Sequence, residues 1–261
     1  MKQIFILAVL LSLITFDHQA KHLPLATSTI IIFSKILPEE ELLVCPEEMV
    51  EIAGEYCPVV QENCIRWLDH LRCAEFQKPS QCLSTRTHLH YCMSRFEYPG
   101  QEGSFPLVGK DYYQAKKIAE DEGHRLCSIE EFNFACEGED IKPYGYGDGY
   151  HRDASMCNID KPWIDYSLFS PEDWNDHEMG LYQGVKSDSN SSCKSWAGVY
   201  NLNGNVDEIL DSEKVDHVIL SGGYWSVVRN RCRPKTVAHD KLFSFYNSGF
   251  RLCDNVKEHH A

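Results

Sequence analysis

Gly198-Val199-Tyr200-Asn201-Leu202-Asn203-Gly204-Asn205-Val206-Asp207-Glu208 sits in the middle of a region that offers little to helices or long strands. Gly204 permits backbone conformations closed to other residues, and Gly222-Gly223 repeats that freedom a short way on. From Lys142 onward, glycine, proline, asparagine and aromatic residues dominate, as in Pro143-Tyr144-Gly145-Tyr146-Gly147. Regular structure is therefore expected to be sparse, with short strands near residues 218–225 and 248–252. Aromatic rings between tight turns suit a loop-rich core. Arg125 and Arg251 stand on either side of this region. Each is a long forked donor that can hold several carbonyls or carboxylates at once, and both are expected to act as internal braces.

Upstream, two helices are legible. Residues 114–122 carry Ala115, Ile118 and Ala119 at helical spacing, and Gly123 supplies a stop. Ser128 and Glu131 form a capping box ahead of a second helix running to about Cys136, with Ile129, Phe132 and Cys136 on one face. At about 1.5 Å per residue, Cys127 and Cys136 would lie roughly 12 Å apart. A disulfide needs α-carbons within about 7 Å. These two cysteines should therefore not pair with each other.

The 261-residue chain has twelve cysteines: Cys45, Cys57, Cys64, Cys73, Cys82, Cys92, Cys127, Cys136, Cys157, Cys193, Cys232 and Cys253. The even number and a leader-like start point to disulfides formed in an oxidising compartment. No two cysteines stand two to four residues apart, so structural zinc has no support. Lys2 followed by an apolar run from Ile4 to Phe16 reads as a secretory signal over residues 1–20. The run is shorter than the ~20 residues needed to span a bilayer, so no integral membrane segment is expected once the signal is removed. Residues 21–44 read as a linker, 45–91 as a cysteine-rich N-terminal extension, and 92–256 as the main domain. The evenly spaced cysteines of 45–92 do not mark a repeat, because the residues between them differ. A net charge of −14 disfavours nucleic acid and anionic lipid as partners. Asn190-Ser191-Ser192 is a formal glycosylation sequon.

Taken in order, five blocks resemble those of a known family. They are Arg95-Phe96-Glu97-Tyr98-Pro99, Gly123 to Phe132, Pro143 to Gly147, the opening segment Gly198 to Glu208, and finally Gly222-Gly223-Tyr224-Trp225 with Gly249-Phe250-Arg251. The resemblance is to the formylglycine-generating, or sulfatase-modifying-factor, family. It implies a disulfide-stapled α+β fold, rich in loops and related to C-type lectins. Family enzymes oxidise a sulfatase cysteine with oxygen, holding Cu(I) between two thiolates after the double glycine; soft thiolates suit that ion. Counted from Gly222-Gly223, those positions fall on Val227 and Cys232, with Tyr224 where a serine usually follows. Valine cannot ligate copper, and Cys232, the remaining catalytic candidate, is expected in a disulfide. Copper oxidase chemistry is therefore expected to be lost. Relatives carry cysteines at positions that are Ala119 and Leu252 here, so a replacement bridge from Cys253 to Cys127 or Cys136 is expected. The resemblance also implies structural calcium, held by Asn203, Gly204, Val206 and Glu208 and by a second stretch beginning at Asn158-Ile159. Calcium takes six to eight oxygens, many from carbonyls of irregular loops.

Other chemistry has weak support: there is no phosphate-cradling loop, no serine elbow and no His-Glu-x-x-His motif. His88 and His90 are expected to be solvated, and His239 likewise. Two functions remain in view. One is a secreted or periplasmic binding or structural module, presenting loops of residues 142–192 to a protein or glycan. The other is a divergent metal-dependent oxidase using Cys232 with another donor.

Overall fold

The structure, a computed structural model, describes residues 44–165 and 180–257. The stretch read as a signal, 1–20, and the stretch read as a linker, up to residue 43, lie outside the described residues. The first sheet is built from both ends of the described chain. Strand β1 (Met49–Tyr56) pairs antiparallel with β6 (Thr87–Ser94) through all eight residues, from Met49 opposite Ser94 to Tyr56 opposite Thr87. Between them lie the short strands β2 (Val60–Gln61), β3 (Cys64–Trp67), β4 (Cys73–Phe76) and β5 (Gln81–Cys82), paired β2 with β5 and β3 with β4. The C-terminal strand β12 (Leu252–Asn255) runs beside β6, and β7 (Arg125–Leu126) completes the order β1-β6-β12-β7. The stretch read as an N-terminal extension thus supplies β1 and the first part of β6, which runs on into the main domain.

The helices follow local sequence signals. Helix α1 (Tyr112–Asp121) starts two residues before the expected position, because Asp111 and Gln114 form a capping box there. Helix α2 (Ile129–Glu137) has the expected box of Ser128 and Glu131. It ends at Gly138, whose φ of 65° favours glycine. Its residues Phe132, Phe134, Ala135 and Cys136 are all buried.

The second sheet has the order β10-β9-β8-β11: β8 (Asp207–Leu210), β9 (Ile219–Ser221), β10 (Lys235–Thr236) and β11 (Ser248–Gly249). The strand expected at 218–225 stops at Ser221, because Gly222 and Gly223 take φ of 88° and 73° and turn the chain out of the sheet. The strand expected at 248–252 is two strands in different sheets, β11 beside β8 and β12 beside β6, with Phe250 and Arg251 making the passage. Successive strand residues face opposite sides. On β6, Tyr91 and Met93 join one core cluster with Phe132 and Leu202, while Cys92 faces another with Ala115, Leu220 and Phe250.

Six disulfides use all twelve cysteines. Cys45–Cys92 encloses Cys57–Cys82, which encloses Cys64–Cys73. Likewise Cys127–Cys253 encloses Cys136–Cys232, which encloses Cys157–Cys193. Cys127 and Cys136 do not pair, and Cys253 bonds Cys127, one of its two expected partners. Among the described residues, no helix is long and apolar enough to cross a membrane.

Arg125 and Arg251 both lie inside this framework. Arg125 grips the Glu131 carboxylate at 2.8 and 2.5 Å and reaches Asn255. Arg251, fully buried, holds both oxygens of the equally buried Glu208 at 2.6 and 2.5 Å and donates to the carbonyls of Ser94 and Tyr200.

Candidate functional site

The loop leaving β9 carries both positions that would hold copper. A side chain at Gly222 would meet the Leu202 carbonyl at 2.9 Å, so the chain can pass here only as glycine. Cys232 is fully buried and bonded to Cys136, with α-carbons 5.5 Å apart. Its amide donates to the Pro143 carbonyl, and Asn203 Nδ2 lies 3.3 Å from Cys136 Sγ. Val227 is half-buried on the same loop. A valine and a disulfide sulfur offer no thiolate, so the donors at these two positions do not fit Cu(I). The loop is also fixed from behind. Arg152, whose side chain is 1 % exposed, ion-pairs with Asp160 and donates to the carbonyls of Val228 and Arg229 and to Asn230 Oδ1.

The outer side of this loop, with β8 and the segment before β11, encloses a cavity of about 400 Å³. That is within the ordinary range of ligand sites, about 300–1,000 Å³. The pleat of β8 decides what reaches it: Asp207 lines the cavity while its neighbour Glu208 pairs with Arg251. The Gly223 amide donates to the Asp207 carboxylate at 3.2 Å. Burial pushes this carboxyl up to about 7, against the pull of the Gly223 N–H and of Arg229. Arg229, also on the wall, donates to Thr236 Oγ1 at 2.5 Å. His239 stacks on Phe243 with ring centroids 3.8 Å apart, and Phe245 and Tyr224 add aromatic surface. Trp163, exposed, meets the Tyr224 ring edge-on.

A second polar cluster surrounds the expected calcium residues. Glu97, fully buried, accepts from Asn201 Nδ2 at 3.1 Å and from Asn205 Nδ2 at 2.9 Å. Burial raises its carboxyl and Arg251 pulls it back. Asn158 donates to Asn205 Oδ1 and to the Gln183 carbonyl, and its own carbonyl accepts from the Asn205 amide. Gly204, at φ 93°, packs where a side chain would strike the Asn158 carbonyl at 2.5 Å and the Ile159 side chain at 2.4 Å from its β-carbon. Two amide oxygens here, Asn158 Oδ1 and Asn201 Oδ1, are buried without a hydrogen-bond partner among the described residues. Such oxygens fit a hard cation. Two expected side chains are committed elsewhere: Asn203 Oδ1 accepts from the Gly145 amide, and Glu208 is held by Arg251. Val206 is buried beside them.

The histidines near the other end of the chain are exposed. His88 Nδ1 lies 3.1 Å from Glu55 and His90 Nε2 lies 2.7 Å from Glu51, across the β1–β6 ladder. Among the described residues no group of three or more histidine, cysteine or carboxylate side chains is placed to hold a metal. Sequence reasoning missed Asp207, Arg229 and Arg152 as contributors to a site. The available signal was the carboxylate pair Asp207-Glu208 directly before the apolar pair Ile209-Leu210.

Residues 55–256 match the family model of the sulfatase-modifying factor enzyme 1-like domain. Among solved structures, the chain is similar to CarF, at 14 % identity over 81 % of this chain and 99 % of that chain with a TM-score of 0.49. It is also similar to PvdO from Pseudomonas aeruginosa, at 13 % identity over 79 % of this chain and 94 % of that chain with a TM-score of 0.48. Treponema denticola variable protein 1 is similar at 13 % identity over 79 % of this chain and 94 % of that chain, with a TM-score of 0.43. No curated protein matches the chain. The family model spans most of the sequence, from the end of β1 through β12 and both polar clusters, and the chain belongs to the sulfatase-modifying factor enzyme 1-like domain family, with its loop-rich fold of the C-type-lectin kind.

Proposed function

We propose that this chain is an exported, non-catalytic binding module of its family. The observation that carries the reading is the Cys136–Cys232 disulfide, together with a valine at position 227. A buried disulfide sulfur is neither a nucleophile nor a copper ligand, while the scaffold around it is intact. Six disulfides favour an oxidising compartment, secreted or periplasmic. The ligand site is the cavity over Asp207. The loops of residues 142–192, from which a protein or glycan contact was expected, are described only in part.

Thiol trapping and mass spectrometry of the unreduced protein test this directly. The expected result is a Cys136–Cys232 linked peptide and no stoichiometric Cu(I). A free Cys232 thiol, together with stoichiometric copper and oxygen-dependent conversion of cysteine in a sulfatase-type peptide, would establish the divergent oxidase instead.

Structural calcium is the second part of the proposal. Asn158 and Asn201 would supply side-chain oxygens, Asn201 in place of Asn203, and backbone carbonyls of the Ile159 and Gly204–Val206 stretches would supply others. The ion would satisfy the two orphaned amide oxygens and offset the buried charge of Glu97. At calcium about a hundredfold above its dissociation constant, linkage gives about 2.7 kcal/mol. The thermal midpoint should then rise by roughly 5 to 10 °C for a domain of this size. A midpoint indifferent to both calcium and chelator would remove the ion from the reading.

A further inference from the structure

The polar inventory of the cavity over Asp207 is unequal. Asn230 donates to the Tyr224 carbonyl at 2.5 Å and accepts from Arg152. Asn247 gives its backbone carbonyl to the Asp207 amide and accepts at Oδ1 from Ser248. Both amides are therefore committed to the wall itself. The charged groups are not. Asp207 carries one weak backbone donor on a buried carboxylate, and Arg229, with five N–H donors available to its side chain, is recorded giving one to Thr236. The same wall also carries carbon-rich surface from Leu220, Phe243, Phe245 and the Tyr224 ring.

A buried carboxylate whose hydrogen-bond donor among the described residues is a single neutral amide is well served by a donor that carries positive charge. A simple cation would meet Arg229 in the same cavity. A neutral sugar would satisfy the aromatic wall but give neither charged group a hydrogen-bonded partner of opposite sign. A molecule carrying an ammonium and a carboxylate on an apolar frame meets all three features. Resting on the binding role above, we propose that this cavity takes a small zwitterion of the amino-acid class, its ammonium on Asp207, its carboxylate on Arg229 and its side chain against Phe243 and Phe245. His239, held flat on Phe243, keeps that aromatic wall in place.

Isothermal titration of the disulfide-intact protein with L-phenylalanine, phenylalanine amide and 3-phenylpropionate tests the assignment without any mutation. Phenylalanine should bind at millimolar concentration or better. Removing either charge should weaken binding about 10-fold or more, the scale of one charge-assisted hydrogen bond. Asp207→Asn should reduce phenylalanine binding similarly and abolish the preference for phenylalanine over 3-phenylpropionate, since both keep the carboxylate that meets Arg229. Arg229→Gln should abolish the preference for phenylalanine over its amide. A thermal melt confirms that each variant is folded. Equal binding of all three compounds, or no binding of any of them, overturns the proposal. If the cavity instead takes a neutral sugar in an Asp207-dependent way, the zwitterion is wrong and the binding role stands. A free Cys232 thiol with bound copper would sink that role independently.

Discussion

Arg251→Met should destabilise the domain by about 3–5 kcal/mol, the cost of removing one partner from a buried ion pair. Methionine fills much of the volume but leaves Glu208 with neither of its two charged donors, at full burial. It also strands the carbonyls of Ser94 and Tyr200, which tie β6 and the 198–208 loop to this one side chain. Glu97 loses the positive charge that offsets its burial. Against a total stability of about 5–15 kcal/mol, such a loss is a large fraction of the whole. Urea unfolding of the oxidised protein measures it. Pairing Arg251→Met with Glu208→Leu should recover part of the loss, since the uncompensated charge is then gone. An Arg251→Met variant within about 1 kcal/mol of the parent would show that the pair is not the brace described here.

The second large effect concerns the covalent framework. Cys127 and Cys253 are separated by 126 residues and both are fully buried. Replacing both with alanine should cost about 5 kcal/mol by the loop-closure argument, and somewhat more if the two buried sulfurs leave voids. The corresponding change at Cys64 and Cys73, separated by 9 residues, should cost about 3 kcal/mol. The same urea experiment on both double variants gives the comparison. If the Cys64–Cys73 variant proves the less stable, constraint of the unfolded chain is not what these bonds chiefly provide.

The parts of the fold that sequence made visible were those fixed by near neighbours. The Ser128–Glu131 box and the apolar face of α2 lie within one short segment, so they could be read directly. The same helix geometry kept Cys127 from Cys136. It could not choose a partner for either, because Cys253 and Cys232 arrive from a hundred residues away. The C-terminal strand was read as one because Ser248 to Leu252 is a continuous run. It breaks because Arg251 must turn inward to Glu208 while β12 continues beside β6. The pairing of β1 with β6 left no local mark either, and the segment carrying them looked like an appendage. The copper positions were readable because their spacing from Gly222-Gly223 is a property of the chain. The cavity was not: Asp207, Arg229 and His239 belong to a strand and two loops that meet only after both sheets have formed.

The nested order of the disulfides divides the molecule in a way its sheets do not. Every peptide bond from Cys45 to Cys92, and every one from Cys127 to Cys253, is spanned by at least one sulfur bridge. The 93–126 stretch, which contains α1, is spanned by none. A backbone break inside either ring leaves the chain in one piece. A break in that stretch turns the protein into two closed fragments with no bond between them, held together by the ladder of β6 on β12 and the packing around it.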